Sequence, residues 1–328
     1  MYVVTGGAGF IGSNIVWALE ERGLGPIVVI DRLRDQSKWR NLAKRELADV
    51  IPPERTLEFL DANATAIDVV IHMGAISATT ETDVDLIMHN NFRLSLELWR
   101  WCTANHARLI YASSAATYGD GSRGFDDDGS VEALAAHRPM NPYGWSKHLF
   151  DRRVARMIAE DNPRPPQWIG LKFFNVYGPN EYHKGRMQSV VAQVYPVAKQ
   201  GGAARLFKSH HPDYEDGGQL RDFIWVGDCV DMVAWLLDHP KVNGLFNCGS
   251  GEARSFVSLA DAVYATLDKA ASIEYIDTPE EIREKYQYFT EAKMDRLRAV
   301  GYDKPMTSLE EGVRKYVRGF LDSGDPYR

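Results

Sequence analysis

Residues 4–23 read VTGGAGFIGSNIVWALEERG, and this stretch decides the fold. Gly6, Gly9 and Gly12 form a GxxGxxG pattern between an apolar run, which predicts a strand, and an amphipathic run, which predicts a helix. Glycines at such a junction let the backbone approach a pyrophosphate, and the helix N-terminus supplies aligned N–H donors. Asp31 follows the next apolar run, where a carboxylate can bind ribose hydroxyls. The spacing therefore predicts a dinucleotide site; the alternative is a tight turn without a ligand.

The residues around Asp31 bear on which dinucleotide binds. A carboxylate repels a 2′-phosphate, so Asp31 alone favours NAD. Arg32, Arg34 and Lys38 supply cations in the same turn, and these can bind a 2′-phosphate through charge-assisted hydrogen bonds. We therefore predict NADP, with NAD as the alternative. The other interpretation of these cations is a solvated surface.

Strand-like and helix-like segments alternate along the first half of the chain. The apolar runs are MYVVT, PIVVID, DVVIHMGA, RLIYASS and WIGLKFFN. This alternation predicts an α/β fold with a doubly wound, Rossmann-like parallel sheet that helices cover on both faces. The alternation loosens after about residue 174. We therefore predict a dinucleotide-binding domain over residues 1–174 and a smaller α/β substrate-binding lobe over residues 175–328, with some segments returning to the first domain.

The composition argues against several classes of partner. The formal net charge of −7 has the sign opposite to that of most proteins that bind duplex nucleic acid, so we predict no nucleic-acid partner. No apolar run approaches about 18 residues and no basic stretch opens the chain, so neither a membrane span nor an export signal is predicted. The three cysteines are far apart in sequence, which argues against a disulfide framework and favours the cytoplasm.

A second informative stretch is NPYGWSKHLF, residues 141–150. Asn141 is a predicted helix cap, and Tyr143 and Lys147, four residues apart, share one face of the helix. A tyrosine has a pKa of about 10, so we expect the ammonium of Lys147 to lower the pKa of Tyr143 and to bind the nicotinamide ribose. Ser114 ends an apolar run at the carboxyl edge of the sheet, where its hydroxyl can orient the reacting oxygen. The alternative for Tyr143 is an interfacial aromatic side chain.

The motif GGAGFIG, the serine at a strand end and the YxxxK pair together resemble the extended short-chain dehydrogenase/reductase family. The resemblance implies that the tyrosine deprotonates a sugar hydroxyl while hydride passes to the nicotinamide, and that the later lobe binds a nucleotide diphosphate sugar. This family contains 4-epimerases, 4,6-dehydratases and reductases. Ala115 and Ala116 follow Ser114 where dehydratases have an Asp-Glu pair, which argues against dehydration.

The stretches HMGAISATTETD, KFFNVYGPNEYHKGRMQSVV and RDFIWVGD resemble the heptose 6-epimerase subgroup of that family. The resemblance implies inversion of C6″ of ADP-D-glycero-D-manno-heptose by transient oxidation, in the synthesis of a lipopolysaccharide core precursor. It makes Tyr143 and Lys184 the two acid/base residues, and we expect burial or a neighbouring cation such as Arg186 to lower the pKa of Lys184. The alternatives are a phosphate-contacting or surface lysine, a 4-epimerase or reductase of another nucleotide sugar, and a catalytically silent, NADP-sensing binding protein.

By position, the resemblance assigns the full site. The catalytic residues are Ser114, Tyr143, Lys147 and Lys184. The residues assigned to the cofactor are Gly6, Gly9, Phe10, Ile11, Gly12, Asp31, Arg32, Lys38, Met73, Gly74, Ala75, Ile76, Ser77, Asn90, Tyr143, Lys147, Val176 and Lys184. The residues assigned to the substrate are Ser114, Asn175, Arg186, Gln193, Phe207, Lys208, Ser209, Arg221 and Tyr286. A guanidinium such as that of Arg221 suits a pyrophosphate, with an ion pair to Asp222 as the alternative. Tyr286 can equally belong to the core of the lobe.

Several positions depart from the subgroup pattern. Arg186 replaces a serine, Gln193 replaces a histidine, prolines occupy the neighbourhood of a second cofactor lysine, and the loop over residues 209–223 is expanded. These departures leave the exact sugar and the nucleotide base open. His210 and His211 lack a third ligand at metal spacing, so no metal is predicted. Relatives assemble, and we expect a homo-oligomer.

Overall fold

A seven-stranded parallel sheet forms the centre of the computed structural model, which describes residues 1–34, 37–78, 81–283 and 286–328. The strands of the described residues are β1 Tyr2–Thr5, β2 Ile27–Ile30, β3 Asp49–Ile51, β4 Val69–His72, β5 Arg108–Ser114, β6 Trp168–Phe173, β7 Asn175–Tyr177, β8 Ala204–Phe207, β9 Leu220–Trp225, β10 Gly244–Cys248, β11 Ala253–Ser255 and β12 Ile273–Ile276.

Helices connect most of these strands. They are α1 Phe10–Glu21, α2 Thr56–Ala62, α3 Val84–Ile87, α4 Leu94–Ala104, α5 Val131–Ala136, α6 Pro142–Ala159, α7 Val190–Lys199, α8 Val226–Asp238, α9 Phe256–Thr266, α10 Glu280–Arg283, α11 Asp295–Ala299 and α12 Leu309–Tyr316. A widened π-helical segment, Met88–Arg93, joins α3 to α4. Within the described residues, no helix combines the length and the apolar composition needed to cross a bilayer.

The strand order in the central sheet is β10-β6-β5-β4-β1-β2-β3, and every neighbouring pair is parallel. This confirms the predicted doubly wound α/β fold. The chain winds in opposite directions from β1 and from β4, so the boundary between these two strands is the topological switch point. Ligands of open α/β sheets bind at the carboxyl ends of the strands at such a point. The glycine turn after β1 therefore lies where a ligand is expected.

Apolar side chains cover both faces of the sheet. On one face, Ile15 and Val16 of α1 pack with Met232 and Leu236 of α8 against the strands. On the other face, Leu98 and Trp99 of α4 pack with Phe150 and Val154 of α6. Burial of a large aliphatic or aromatic side chain stabilises a fold by about 1.5–3 kcal/mol. These two layers fix α1 and α6, the helices that carry the glycine turn and the Tyr143–Lys147 pair.

The second half of the chain adds two small sheets and returns to the central sheet with α8 and β10. Strand β10 pairs with β6 at one edge of the central sheet, while β11-β9-β7 and β12-β8 form separate sheets. A further apolar cluster joins α7, α9 and α12 through Val191, Val263 and Val313. The boundary after residue 174 stays a prediction.

Candidate active site

The glycine turn leaves no room for side chains beside β4. Gly6 has φ +66°, and a Cβ there would lie 2.6 Å from Gly74 Cα. A Cβ on Gly12 would lie 2.2 Å from the carbonyl oxygen of Gly6. Gly9 caps α1 without a side-chain hydrogen bond, and the first turn of this helix holds no acidic residue. The turn thus has the shape and the positive helix end that a pyrophosphate requires.

Asp31 joins the glycine turn to the cations that follow it. Its carboxylate accepts the backbone N–H of Ala8 at 2.9 Å, and Lys38 Nζ lies 2.5 Å from the other oxygen. The guanidinium of Arg32 forms an ion pair with Glu54. A carboxylate neutralised by a lysine repels a neighbouring phosphate less than a free one does. The adenosine end of the site therefore carries both the carboxylate and the cations that the sequence places there.

Two adjoining cavities follow the carboxyl edge of the sheet. They measure about 280 and 510 Å³ and share Gly6, Asp31 and Gly74 among their lining residues. Every residue that the sequence assigns to the cofactor lines one of them. The smaller cavity includes Arg32, Ile76 and Asn90, and the larger includes Gly9, Phe10, Ile11, Gly12, Met73, Ala75, Ser77, Tyr143, Lys147, Val176 and Lys184. The residues present fit a dinucleotide in shape and in chemistry.

Helix α6 carries the Tyr143–Lys147 pair as predicted. Asn141 Oδ1 accepts the N–H of Gly144 at 2.8 Å and caps the helix. Tyr143 and Lys147 both line the larger cavity together with Ser114. These three residues, expected from separate motifs, meet because β5 and α6 are neighbours in the fold.

The electrostatics of Tyr143 differ from the sequence-based expectation. Burial raises the pKa of Tyr143, and the Ser114 hydroxyl opposes that rise. Contrary to the prediction, Lys147 does not lower the pKa of Tyr143. The Lys147 ammonium is buried and donates to the carbonyl oxygen of Ala112 at 2.7 Å. Burial lowers the pKa of Lys147 itself to about 8, although Asp151 favours the ammonium.

Lys184 lies in the same cavity as Tyr143. Its Nζ is 5.3 Å from the centroid of the Phe10 ring, at the start of α1. Burial lowers the pKa of Lys184, and the carboxylate of Glu181 opposes that change. Arg186 has no part in the shift, so of the two causes we expected only burial acts. The alternative of a surface lysine is wrong, because the side chain lines the cavity.

Comparison with known proteins fits this geometry. The model of the NAD dependent epimerase/dehydratase family matches residues 2–249. The chain belongs to this family. Proteins named ADP-L-glycero-D-manno-heptose-6-epimerase are 50% identical to it in Nitratidesulfovibrio vulgaris strain DP4 and 48% identical in Fusobacterium nucleatum, over the whole of both chains. These relatives confirm the predicted extended-family epimerase, an isomerase, and its resemblance to the heptose 6-epimerases.

Solved structures of the family share the fold over nearly their whole length. The Helicobacter pylori ADP-L-glycero-D-manno-heptose-6-epimerase has a TM-score of 0.79 at 27% identity, covering 97% of this chain and 95% of that one. The Thermus thermophilus UDP-glucose 4-epimerase in complex with NAD has a TM-score of 0.72 at 26% identity, covering 97% of each chain. A nicotinamide dinucleotide is thus the cofactor class of the family.

Of the predicted substrate residues of this epimerase, Ser114 lines the larger cavity and the others line neither cavity. These others form one buried group and one more exposed group. Arg221 is buried, with its guanidinium carbon 5.3 Å from the centroid of the Tyr286 ring, which in turn contacts Phe207 edge to face. The alternative ion pair with Asp222 is wrong, since the Asp222 carboxylate accepts hydrogen bonds from Ser250, Gly251 and Ala292. Burial lowers the pKa of Arg221.

The remaining predicted substrate residues are more exposed. Gln193 Nε2 donates to the carbonyl oxygen of Gln188 at 2.7 Å, and it contacts that of Arg186. Arg186 and Gln193 are both exposed. Lys208 pairs with Asp277 at 3.1 Å. Asn175 is exposed on β7, and Ser209 donates to the carbonyl oxygen of His211. Aromatic contacts hold the expanded loop, since the His211 ring contacts the rings of Tyr214 and Tyr288.

Sequence reasoning missed two residues of the site. His183 lines both cavities, and its Nδ1 contacts Asn41 Nδ2 at 3.2 Å. Asn91 binds both the N–H and the carbonyl of Ile76, which fixes the backbone facing the cofactor site. The signal for His183 was its place directly before Lys184. Asn91 lies in the π-helical segment before α4, and such segments are frequent at functional sites.

Proposed function

We propose that the chain is an NADP-dependent epimerase that inverts C6″ of ADP-D-glycero-D-manno-heptose to the L-glycero epimer. The proposal rests on the full-length relatives that carry this name and on one observation: Lys184 lines the same cavity as Tyr143. C6″ is a secondary carbinol carbon, so its oxidation gives a ketone. A ketone can be reduced on either face, which allows inversion.

The two proton-transfer groups would divide the work. Tyr143, held by α6 beside Ser114, accepts the proton of the C6″ hydroxyl in one epimer or returns it. Lys184 does so for the other epimer, whose oxygen points differently once the opposite face is presented. Burial lowers the pKa of Lys184, and this direction favours the neutral amine that a proton acceptor requires. A nicotinamide dinucleotide held by the glycine turn, Asp31 and Lys147 would supply the hydride acceptor and donor that this oxidation and reduction need.

We infer NADP rather than NAD from the adenosine end of the cavity. Lys38 partly neutralises Asp31, and Arg32 lies at the same rim. Calorimetric titration of cofactor-free protein should give a higher affinity for NADP than for NAD. Lys38→Met should reduce that preference by about tenfold or more, since it removes a charge-assisted phosphate contact. Equal affinities in the unmodified protein would favour NAD instead.

The buried Arg221 would bind the pyrophosphate or the nucleotide of the substrate, with Phe207 and Tyr286 beside it. This role accounts for a buried guanidinium that has no ion pair among the residues that the structure describes. The domain boundary, a cytoplasmic location and assembly into a homo-oligomer stay predictions. None of them is required by the proposed reaction.

The deciding experiment is NMR of ADP-D-glycero-D-manno-heptose incubated with the protein. We expect the L-glycero epimer to appear without added cofactor, if the dinucleotide is retained during purification. Tyr143→Phe and Lys184→Met should each slow the reaction by about 10²–10⁴-fold, the usual contribution of a general acid or base. Lys293→Met, a change at an exposed lysine, is the matched control.

Three results would contradict the proposal. If Lys184→Met epimerises the heptose at the unmodified rate, one proton-transfer group serves both epimers. If UDP-glucose is converted and the ADP-heptose is not, the protein is a 4-epimerase. No turnover of any nucleotide sugar, together with dinucleotide-dependent binding of a protein partner, would instead support a regulatory protein.

A further inference from the structure

A buried carboxylate lies directly behind the Tyr143–Lys147 pair. Asp151 follows Lys147 by four residues on α6, so the two side chains are neighbours on one helix face. The Asp151 carboxylate is buried, accepts the Ser113 hydroxyl at 2.6 Å and lies 3.3 Å from the Tyr111 hydroxyl. A carboxylate in such a position is costly unless cations and hydrogen bonds compensate it.

One buried ammonium group pairs with this carboxylate, and a second lies one helical turn away from it. Lys172 on β6 is fully buried, and its Nζ lies 3.2 Å from Asp151 Oδ2. It also donates to the Thr117 hydroxyl at 2.6 Å. Lys147 is the second ammonium, and the negative charge of Asp151 favours its protonated form. Among the described residues, Asp151 is the one carboxylate that forms an ion pair with Lys172, and Lys147 forms no ion pair.

We propose that Asp151 is a positioning residue for the reaction, holding Lys147 as an ammonium beside Tyr143, and that Lys172 competes for the same carboxylate. The proposal rests on the proposed function for the role of Lys147. That role is charge-assisted donation to the nicotinamide ribose, which an ammonium supplies more strongly than a neutral amine. The Asp151–Lys172 pair therefore sets the upper pH at which the site works.

Burial shifts the pKa of most titratable groups around Asp151 away from the range of pH 7–9. The titratable and charged groups that face it are His72, Tyr111, Tyr118, Asp126, Asp127, His137, Arg138, Tyr143, His148 and Arg152. Burial lowers the pKa of His72 and His148 to about 3 and also lowers that of His137. Burial raises the pKa of Asp127 to about 6 and raises those of the three tyrosines. Lys147, with a pKa of about 8, is the group of this cluster whose shifted pKa lies between pH 7 and 9.

The test is the pH dependence of NADP affinity, measured by calorimetric titration of cofactor-free protein, together with the pH dependence of kcat. The affinity for NADP should fall at alkaline pH as Lys147 loses its proton, and this falling part of the pH profile is called the alkaline limb. Lys172→Met gives Lys147 sole use of the carboxylate, so this alkaline limb should move up by about one pH unit. Asp151→Asn combined with Lys172→Met should move the limb down again by about one unit relative to Lys172→Met alone.

The variants are chosen so that folding does not obscure the result. Asp151→Asn alone would leave Lys172 buried without a counter-ion and is expected to unfold the protein, so it is tested only with Lys172→Met. Tyr111→Phe, which removes one hydrogen bond to Asp151 and no charge, is the control and should leave the limb unchanged. Thermal unfolding of each variant reports its stability separately.

The outcomes separate this proposal from the proposed function. If the limbs of Lys172→Met and of the double variant coincide, Asp151 has no influence on Lys147 and the proposal is wrong. If Tyr111→Phe moves the limb as far as Lys172→Met does, the shift comes from altered packing and the proposal is equally wrong. If the limbs move as expected and the ADP-heptose is not converted, the positioning role stands and the proposed substrate is wrong.

Discussion

Replacement of Lys147 by methionine should make the stability of the protein depend on pH in a defined way. Burial lowers the pKa of Lys147 from 10.5 to about 8. Over each pH unit in which the unfolded chain holds a proton that the folded protein does not, the free energy of unfolding changes by about 1.4 kcal/mol. The difference of about 2.5 units means that burial of the charged lysine costs the folded state about 3 kcal/mol below pH 8. Lys147→Met avoids this cost.

The sign of the effect follows from proton uptake. Between about pH 8 and 10.5 the unfolded chain binds a proton at Lys147 and the folded protein does not, so rising pH disfavours unfolding. The unmodified protein should therefore gain stability relative to Lys147→Met, by about 2 kcal/mol between pH 8 and 9.5. The measurement is urea unfolding of both cofactor-free proteins across this range.

A matched control separates proton linkage from packing. Phe150→Leu changes a buried side chain on the same helix, against Tyr111, without an ionisable group. Its stability difference from the unmodified protein should be constant over the same pH range. A difference between the unmodified protein and Lys147→Met that does not vary with pH would refute the reasoning, because it would mean that the ammonium is equally favoured in both states.

Further predictions concern the glycine turn, the phenol and a buried histidine. Gly12→Ala should weaken NADP binding more than tenfold, because its Cβ would lie 2.2 Å from the Gly6 carbonyl oxygen. Gly319→Ala is the control, because nothing lies within 4 Å of a Cβ at that position. Equal effects of the two changes would contradict a role of the glycine turn in binding. Tyr143→Phe should keep the NADP affinity within about threefold while abolishing most turnover, which shows catalysis and binding to be separable. Burial lowers the pKa of His148 to about 3, and both ring nitrogens lack hydrogen-bond partners among the described residues. Below pH 6.5 only the unfolded chain takes up this proton, so falling pH destabilises the unmodified protein. As the pH falls from 6.5 to 5, His148→Leu should therefore gain about 2 kcal/mol in free energy of unfolding relative to the unmodified protein, measured by urea unfolding. No gain would mean that the imidazole is hydrated in the folded state.

The features that the sequence predicted well are those determined by local spacing. Gly6, Gly9 and Gly12 indicated the turn because each is needed where the backbone comes close to another segment, and Asn141 indicated the start of α6 through its capping hydrogen bond. The parallel sheet followed from the alternation of apolar and amphipathic runs. In these cases the physical cause lies within a few residues of the chain.

The features that the sequence did not predict depend on contacts between distant segments. Asp151 and Lys172 are 21 residues apart and meet only because α6 packs on β5 and β6. The raised pKa of Tyr143 likewise reflects burial, which spacing on a helix does not specify. The YxxxK motif therefore placed Lys147 correctly and still gave the wrong direction for the pKa shift of Tyr143, because the burial of Tyr143 decided that direction.

Three buried lysines show how partners rather than residue type divide the roles in this cleft. Burial lowers the pKa of Lys147, Lys172 and Lys184 alike. Lys172 pairs with Asp151, and Lys147 donates to the carbonyl oxygen of Ala112. Among the described residues the Lys184 ammonium forms neither an ion pair nor a hydrogen bond, and it lies 5.3 Å from the centroid of the Phe10 ring in the cavity that Tyr143 also lines. Lys147 and Lys172 are thus held by fixed acceptors, whereas Lys184 is left to contact a ligand group, which is the placement that a second proton-transfer residue requires.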